Sequence, residues 1–88
     1  MVVERQVTLK NVSGLHARPA SQFVAEATKF TSSVSVEVNG KRVDAKSILG
    51  LLSLGISQGQ AISIITEGPD EEQALTTLCK LVDDGFGE

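Results

Sequence analysis

Apolar and polar positions change period several times along the chain, and each change marks an element. Val3, Val7 and Leu9 alternate with Glu4, Gln6 and Thr8, which predicts a strand over Val3–Leu9 with one covered face. Arg5 interrupts that face, and Lys10–Leu15 reads as a loop. Ala20, Phe23, Val24 and Ala27 then recur at i, i+3, i+4 and i+7, the spacing of a helix. The helix is expected over Ala17–Lys29, with Phe23 and Phe30 as core anchors and Glu26 paired to Lys29 on the surface. Period two returns at Val34, Val36 and Val38, against Ser33, Ser35 and Glu37. Asn39-Gly40 is a strong hairpin signal of type I′, and Lys41–Ala45 returns as a short strand with Val43 inward.

Ser47 opens a second, short helix reaching to Ser53, as an N-cap whose hydroxyl accepts from a backbone N–H two or three residues on. Its segment is very apolar, and a short surface helix buries only one stripe. Leu51 and Leu54 are assigned to the core; Leu49 and Leu52 lie on another stripe, with Ile48 at its edge. An exposed apolar patch is often a partner site; the alternative is that all five pack inward. Gln58-Gly59-Gln60 is a turn, and Ala61–Thr66 is the last strand, with Ile62 and Ile64 inward and Ile65 opposite. Gly68-Pro69-Asp70 introduces a third helix, whose N-terminus suits Pro69, Asp70, Glu71 and Glu72. Its buried stripe is Ala74, Leu75, Leu78, Leu81 and Val82, and Gly85 is its stop. Phe86–Glu88 is a tail without an assigned role. The order β-α-β-β-α-β-α predicts an α+β open-faced β-sandwich, a four-stranded antiparallel sheet covered on one face by three helices. A ferredoxin-like arrangement also fits the first six elements.

Length and composition narrow the function classes. Eighty-eight residues suit a single domain, 1–88, with a modest core. Hydrophobic and charged contents of 41% and 22% fit a soluble globular protein. A net charge of −3 argues against direct nucleic-acid binding. No apolar run approaches the ~20 residues that span a bilayer, so no membrane insertion is expected. Glu4 and Arg5 stand where a signal peptide would be apolar, which points to the cytoplasm. The lone Cys79 lies among Leu75, Leu78 and Val82, as a packed thiol would. One histidine and one cysteine, without grouped carboxylates, make no transition-metal site. The glycines form no nucleotide-binding loop, and no cofactor is expected.

The candidate chemistry lies in Gly14-Leu15-His16-Ala17-Arg18-Pro19-Ala20, which holds the single histidine. Gly14 permits a sharp turn. Pro19 is tolerated only in the first turn of a helix, so the helix begins beside His16, which lies at or next to its N-cap. The N–H groups of Ala17 and Arg18 then have no intrahelical partners and, with the positive end of the helix dipole, make an anion site. That same positive end disfavours imidazolium, so His16 is expected to tend toward the neutral, nucleophilic form. Arg18 adds a planar, permanent charge suited to phosphate, and Ser13 is within reach of the imidazole or a bound phosphate. These parts can accept and hold a phosphoryl group. The plainer alternative is a surface histidine at a helix start, with Arg18 merely solvated.

The Gly14–Ala20 segment resembles the active-site signature of the HPr family, the histidine-containing phosphocarriers of the bacterial sugar phosphotransferase system. Lys46-Ser47-Ile48-Leu49-Gly50-Leu51-Leu52-Ser53-Leu54-Gly55 resembles the family's regulatory serine segment, and the likeness extends over the chain, including Asn39-Gly40-Lys41. The resemblance implies that enzyme I passes a phosphoryl group to Nδ1 of His16 and that phospho-His16 passes it to a sugar-specific enzyme IIA. The chain would be a relay rather than an enzyme with turnover, with Arg18 and the helix N-terminus stabilising phosphate. Docking would fall to Ala20, Ile48, Leu49 and Leu52. The Ser47 segment is similar to the Gram-positive branch, which implies modification by an HPr kinase/phosphorylase and corepression with the catabolite control protein. A paralogous carrier serving nitrogen or transcriptional control, and an interaction module in which His16 is an idle cap, remain as alternatives.

Overall fold

Asn39 and Gly40 take φ values of 52° and 82°, the two positive values that a type I′ turn requires. They join β2 (Ser33–Val38) to β3 (Lys41–Asp44), with Val36 opposite Val43 and Val38 opposite Lys41. The computed structural model describes residues 2–87. Around this hairpin it places β1 (Val2–Thr8), α1 (Ala17–Ala27), α2 (Ile48–Leu52), β4 (Ala61–Glu67), α3 (Glu71–Asp83) and a terminal 3-10 turn over Gly85–Gly87.

The strands form one sheet in the order β1-β4-β2-β3, with every neighbouring pair antiparallel. β4 therefore lies between β1 and β2, and β1 is an edge strand. A ferredoxin-like sheet would place β3 there and β1 inside, so that arrangement is excluded. Alternation puts Val7, Ile62, Ile64, Val34 and Val36 on one face, where they share a core with Phe23 and Ala27 of α1, Leu51 of α2, and Leu78 and Val82 of α3. The expected open-faced sandwich of four strands and three helices is what forms. The other face carries Glu4, Gln6, Ser35, Glu37 and Ser63. Ile65 also lies there yet is only 6% exposed, because β4 is interior and Glu4 and Ser35 flank it in the register.

Two aromatic residues depart from expectation. α1 ends at Ala27, with Thr28 as its C-cap, so Phe30 lies beyond the helix and off its buried stripe; it is half-buried rather than a core anchor. Phe86 moves the other way. Gly85 and Phe86 take φ of 63° and 57°, which turns the chain back on itself and leaves Phe86 only 4% exposed within the core. The tail thus has a packing role through Phe86, while Glu88 lies outside the described residues.

Asp70 is the N-cap of α3, but its side chain makes no capping bond. Its carboxylate instead crosses to the α1–β2 connection, accepting from the Ser32 hydroxyl and from the N–H groups of Ser32 at 2.9 Å and Thr31 at 3.1 Å. The Ser32 hydroxyl, helped by these N–H groups, holds the carboxyl at about 2, below its ordinary 3.8. Gly68 makes the crossing possible: a Cβ there would stand 2.7 Å from the Ser32 Cα. Cys79 is buried at 2% exposure, and that burial pushes its thiol up, with the nearby Arg5 guanidinium opposing.

Candidate functional site

The loop that ends β1 is laced to the segment preceding β4. Leu9 and Gly59 anchor it, with the Leu9 N–H donating to the Gln60 carbonyl at 3.0 Å and the Gly59 N–H donating to the Leu9 carbonyl at 2.7 Å. Gly14 is required twice over. Its φ is 65°, and a Cβ would meet the Ile56 carbonyl oxygen at 2.5 Å and the Ser57 Cα at 2.9 Å. Leu15 donates its N–H to that Ile56 carbonyl at 3.0 Å and is buried in the core. Leu15 thus bolts the loop down on one side, and the next residue, His16, is turned out to solvent.

His16 has φ −104° and ψ −161° and is the N-cap of α1, but its side chain makes no capping bond. Its carbonyl accepts from the Ala20 N–H at 2.9 Å, the first bond of the helix. Ala17, Arg18 and Pro19 occupy the first turn. Geometry denies the N–H groups of Ala17 and Arg18 intrahelical acceptors, and Pro19 has no N–H to leave unpaired. No acidic residue stands in that turn, so nothing there offsets the positive end of the dipole. His16, Ala17, Arg18 and Ser21 line an open depression of ≈ 630 Å³. An arrangement of this kind can attract an anion and present it to a ring nitrogen.

Ser21 was not anticipated from the sequence, although its position one turn beyond Ala17 on the same side of the helix was the available signal. Ser13 is exposed in the approaching loop and lies outside the residues that line the depression; its Oγ accepts from the Asn11 amide at 3.2 Å. Asn11, also unanticipated, is 5% exposed beneath this loop.

Ser47 stands apart from the depression, exposed at the N-cap of α2. Its Oγ accepts from the Gly50 N–H at 3.2 Å. Leu51 is fully buried, whereas Leu49 is 77% exposed and Ile48 and Leu52 are 36% and 37% exposed. α2 packs against α1, so the apolar patch adjoins the histidine-bearing helix. Ala20 does not belong to this surface. Expected at a docking face, it is fully buried in the core with Phe23 and Ala27, because its place on the inward stripe of α1 turns it into the core.

Fold and site together define a small α+β domain that presents one exposed histidine at a helix N-terminus. The family model for the PTS HPr component phosphorylation site matches residues 3–84, and the chain belongs to the HPr family of phosphocarrier proteins. It is 50% identical over 82 residues to the HPr-like protein Crh of Halalkalibacterium halodurans, covering 93% of this chain and 98% of that one. It is 48% identical over 75 residues to the phosphocarrier protein HPr of Buchnera aphidicola, covering 85% and 88%. The crystal structure of HPr-C-His from Thermoanaerobacter tengcongensis superposes with a TM-score of 0.95 at 49% identity, covering 98% of this chain and 97% of that one. Family membership carries the general expectation of exchange with phosphotransferase-system proteins. Among the described residues, no helix is long and apolar enough to cross a membrane.

Proposed function

We propose that this chain, acting as one domain, is a phosphoryl relay of sugar uptake that accepts from enzyme I on Nδ1 of His16 and donates to an enzyme IIA. The observation that carries this reading is the placement of an exposed imidazole, with no capping duty, at the N-terminus of α1 beside Arg18. The phosphoryl group leaves the donor as its bond to the ring nitrogen of His16 forms, and the reverse occurs at the acceptor. Phosphoryl transfer needs positioning and charge stabilisation more than covalent machinery. The Ala17 and Arg18 N–H groups and the Arg18 guanidinium supply part of both; the partner's site supplies the rest. Incubation with phosphoenolpyruvate and enzyme I tests the reading. A mass gain of one phosphate, labile in acid, is the expected result, and no gain overturns it.

Arg18→Ala is expected to leave a phosphorylatable protein that exchanges its phosphoryl group more slowly in both directions. Removing one charge-stabilising donor in related chemistry costs roughly 2.7–4 kcal/mol of barrier. Arg18 is exposed until a partner closes over it, so the loss should be smaller, a slowing of about tenfold, equivalent to ~1.4 kcal/mol. Rapid-quench rates with enzyme I and enzyme IIA check this, and unchanged rates would reduce Arg18 to a surface charge.

Ile48, Leu49 and Leu52 form the docking surface in this reading, supported by their exposure and their place beside α1. Leu49→Glu should weaken enzyme I binding about fivefold or more, the loss expected of a contact residue worth over ~1 kcal/mol. At 77% exposure Leu49 has little packing to lose, so the melting temperature should hold. Calorimetric titration beside a thermal melt separates the two effects, and unaltered affinity would remove Leu49 from the interface.

The 48% identity to the solved structure of Crh, the Bacillus subtilis catabolite repression HPr, supports a second, regulatory role, which we assign to Ser47. A dedicated kinase/phosphorylase and a catabolite control protein are its proposed partners. The two roles are compatible, because His16 and Ser47 sit on different helices.

A further inference from the structure

Asn11 makes an arrangement that stability alone does not account for. Its Nδ2 donates to the Gly14 carbonyl at 2.6 Å and to Ser13 Oγ at 3.2 Å. An amide atom 2.6 Å from a carbonyl oxygen has to be the nitrogen, which fixes the orientation of the group. The Oδ1 is then the inward atom, and among the described residues it has no hydrogen-bond partner. A buried acceptor left unpaired is destabilising, and such a group calls for an explanation. A leucine would occupy the site without the orphan.

What the carboxamide does is hold one peptide unit. The Gly14 N–H donates to the Asn11 carbonyl at 3.1 Å, and the Leu15 N–H donates to the Ile56 carbonyl at 3.0 Å. The Gly14 carbonyl is taken by the Asn11 side chain. Both polar atoms of the Gly14–Leu15 peptide are therefore fixed, the oxygen by Asn11 and the nitrogen by Ile56. That peptide immediately precedes the Leu15–His16 link, so its plane, together with the burial of Leu15, restricts the direction in which the His16 side chain leaves the backbone. At Gly14, where φ is 65°, the absence of a Cβ leaves ψ weakly restrained by its own sterics, and an external restraint has the most to contribute.

We propose that Asn11 is a positioning residue for phosphoryl transfer. Its carboxamide locks the Gly14–Leu15 peptide and thereby holds the His16 imidazole in the orientation for attack. This rests on the relay reading of His16. Small misplacements of a reacting group can cost up to about a hundredfold in rate, and a loosened loop samples the productive orientation only part of the time.

The test compares Asn11→Leu with the unaltered protein as substrates of enzyme I and phosphoenolpyruvate. The expected result is a kcat for His16 phosphorylation about tenfold lower, within the range that misorientation produces. KM should be unchanged, because Asn11 is buried and offers no surface to a partner. The melting temperature should change little, since the Oδ1 orphan is removed while the Gly14 carbonyl loses its donor, and the two effects oppose each other. Backbone 15N order parameters at Leu15 and His16 should fall in the variant. Unchanged kcat overturns the proposal, as does a raised KM with kcat intact. A lowered melting temperature with full activity of the folded protein assigns Asn11 to stability alone and overturns it too. Should Asn11→Leu fail to fold, Asn11→Ala removes the donor without adding bulk or charge and carries the same comparison. Absence of phosphorylation in the unaltered protein removes the relay reading itself, a result distinct from equal rates in the two proteins.

Discussion

His16→Ala should take up no phosphoryl group from enzyme I and phosphoenolpyruvate while keeping its fold. The protein has one histidine, so no second imidazole can substitute. Structural cost should be small, for three reasons visible at the site. The side chain is exposed, its imidazole makes no capping bond, and the helix-starting bond from the Ala20 N–H uses the His16 carbonyl, which alanine retains. Surface substitutions away from such features generally stay within about 0.5 kcal/mol, so the melting temperature should move by no more than a few degrees. Intact-mass measurement at neutral pH, beside a thermal melt, gives both readings at once. A folded variant that gains a phosphate would end the proposal that His16 is the acceptor.

The His16 loop also separates what local sequence encodes from what it does not. Placement of His16 at an N-cap followed from Pro19 and the Ala20–Phe23–Ala27 spacing, both properties of neighbouring residues. Ser47 as the cap of α2 and Asn39-Gly40 as the hairpin turn were legible for the same reason. Strand order was not, because the choice of β4 as the neighbour of both β1 and β2 is made by long-range pairing. Asp70 reads locally as an acid suited to the start of α3, yet it bonds Thr31 and Ser32 far away in the chain. Gly14 reads as a turn former, but its close approach to Ile56 depends on how two loops meet. The sequence places Ala20 on the inward stripe and also at the docking face. A single small side chain cannot serve both, and the core takes it. Phe86 lay outside any periodic pattern, so only the positive φ at Gly85 and at Phe86 itself reveals its return to the core. Asn11 has no motif at all; its effect on the candidate site appears only when its amide is seen against the Gly14 carbonyl.

Phosphorylation of Ser47 should act as a switch on recognition and leave the fold in place. The Ser47 Oγ already accepts from the Gly50 N–H at 3.2 Å, so added phosphate oxygens would meet backbone donors at the start of α2 rather than repulsion. α2 is only five residues long, and its stability rests on Leu51 in the core, which the phosphate does not touch. Circular dichroism and the melting temperature should therefore be close to those of the unmodified protein. The consequence lies at the surface. Ile48, Leu49 and Leu52 border Ser47 and are exposed, and a group carrying about −1.5 to −2 charge beside them must lose water whenever a partner closes over the patch. Desolvating such a charge without a counter-charge is costly, and acidic or phosphorylated groups on the partner add repulsion. Acceptance at His16 from enzyme I should fall on the order of 10- to 100-fold, equivalent to ~1.4–2.8 kcal/mol. A partner that offers arginines to the phosphate would instead gain affinity. Ser47→Asp, with less charge, should show a smaller effect in the same direction. The deciding measurement is the rate of His16 phosphorylation for unmodified and Ser47-phosphorylated protein at equal enzyme I. Equal rates from two folded proteins would leave Ser47 as a helix cap and nothing more.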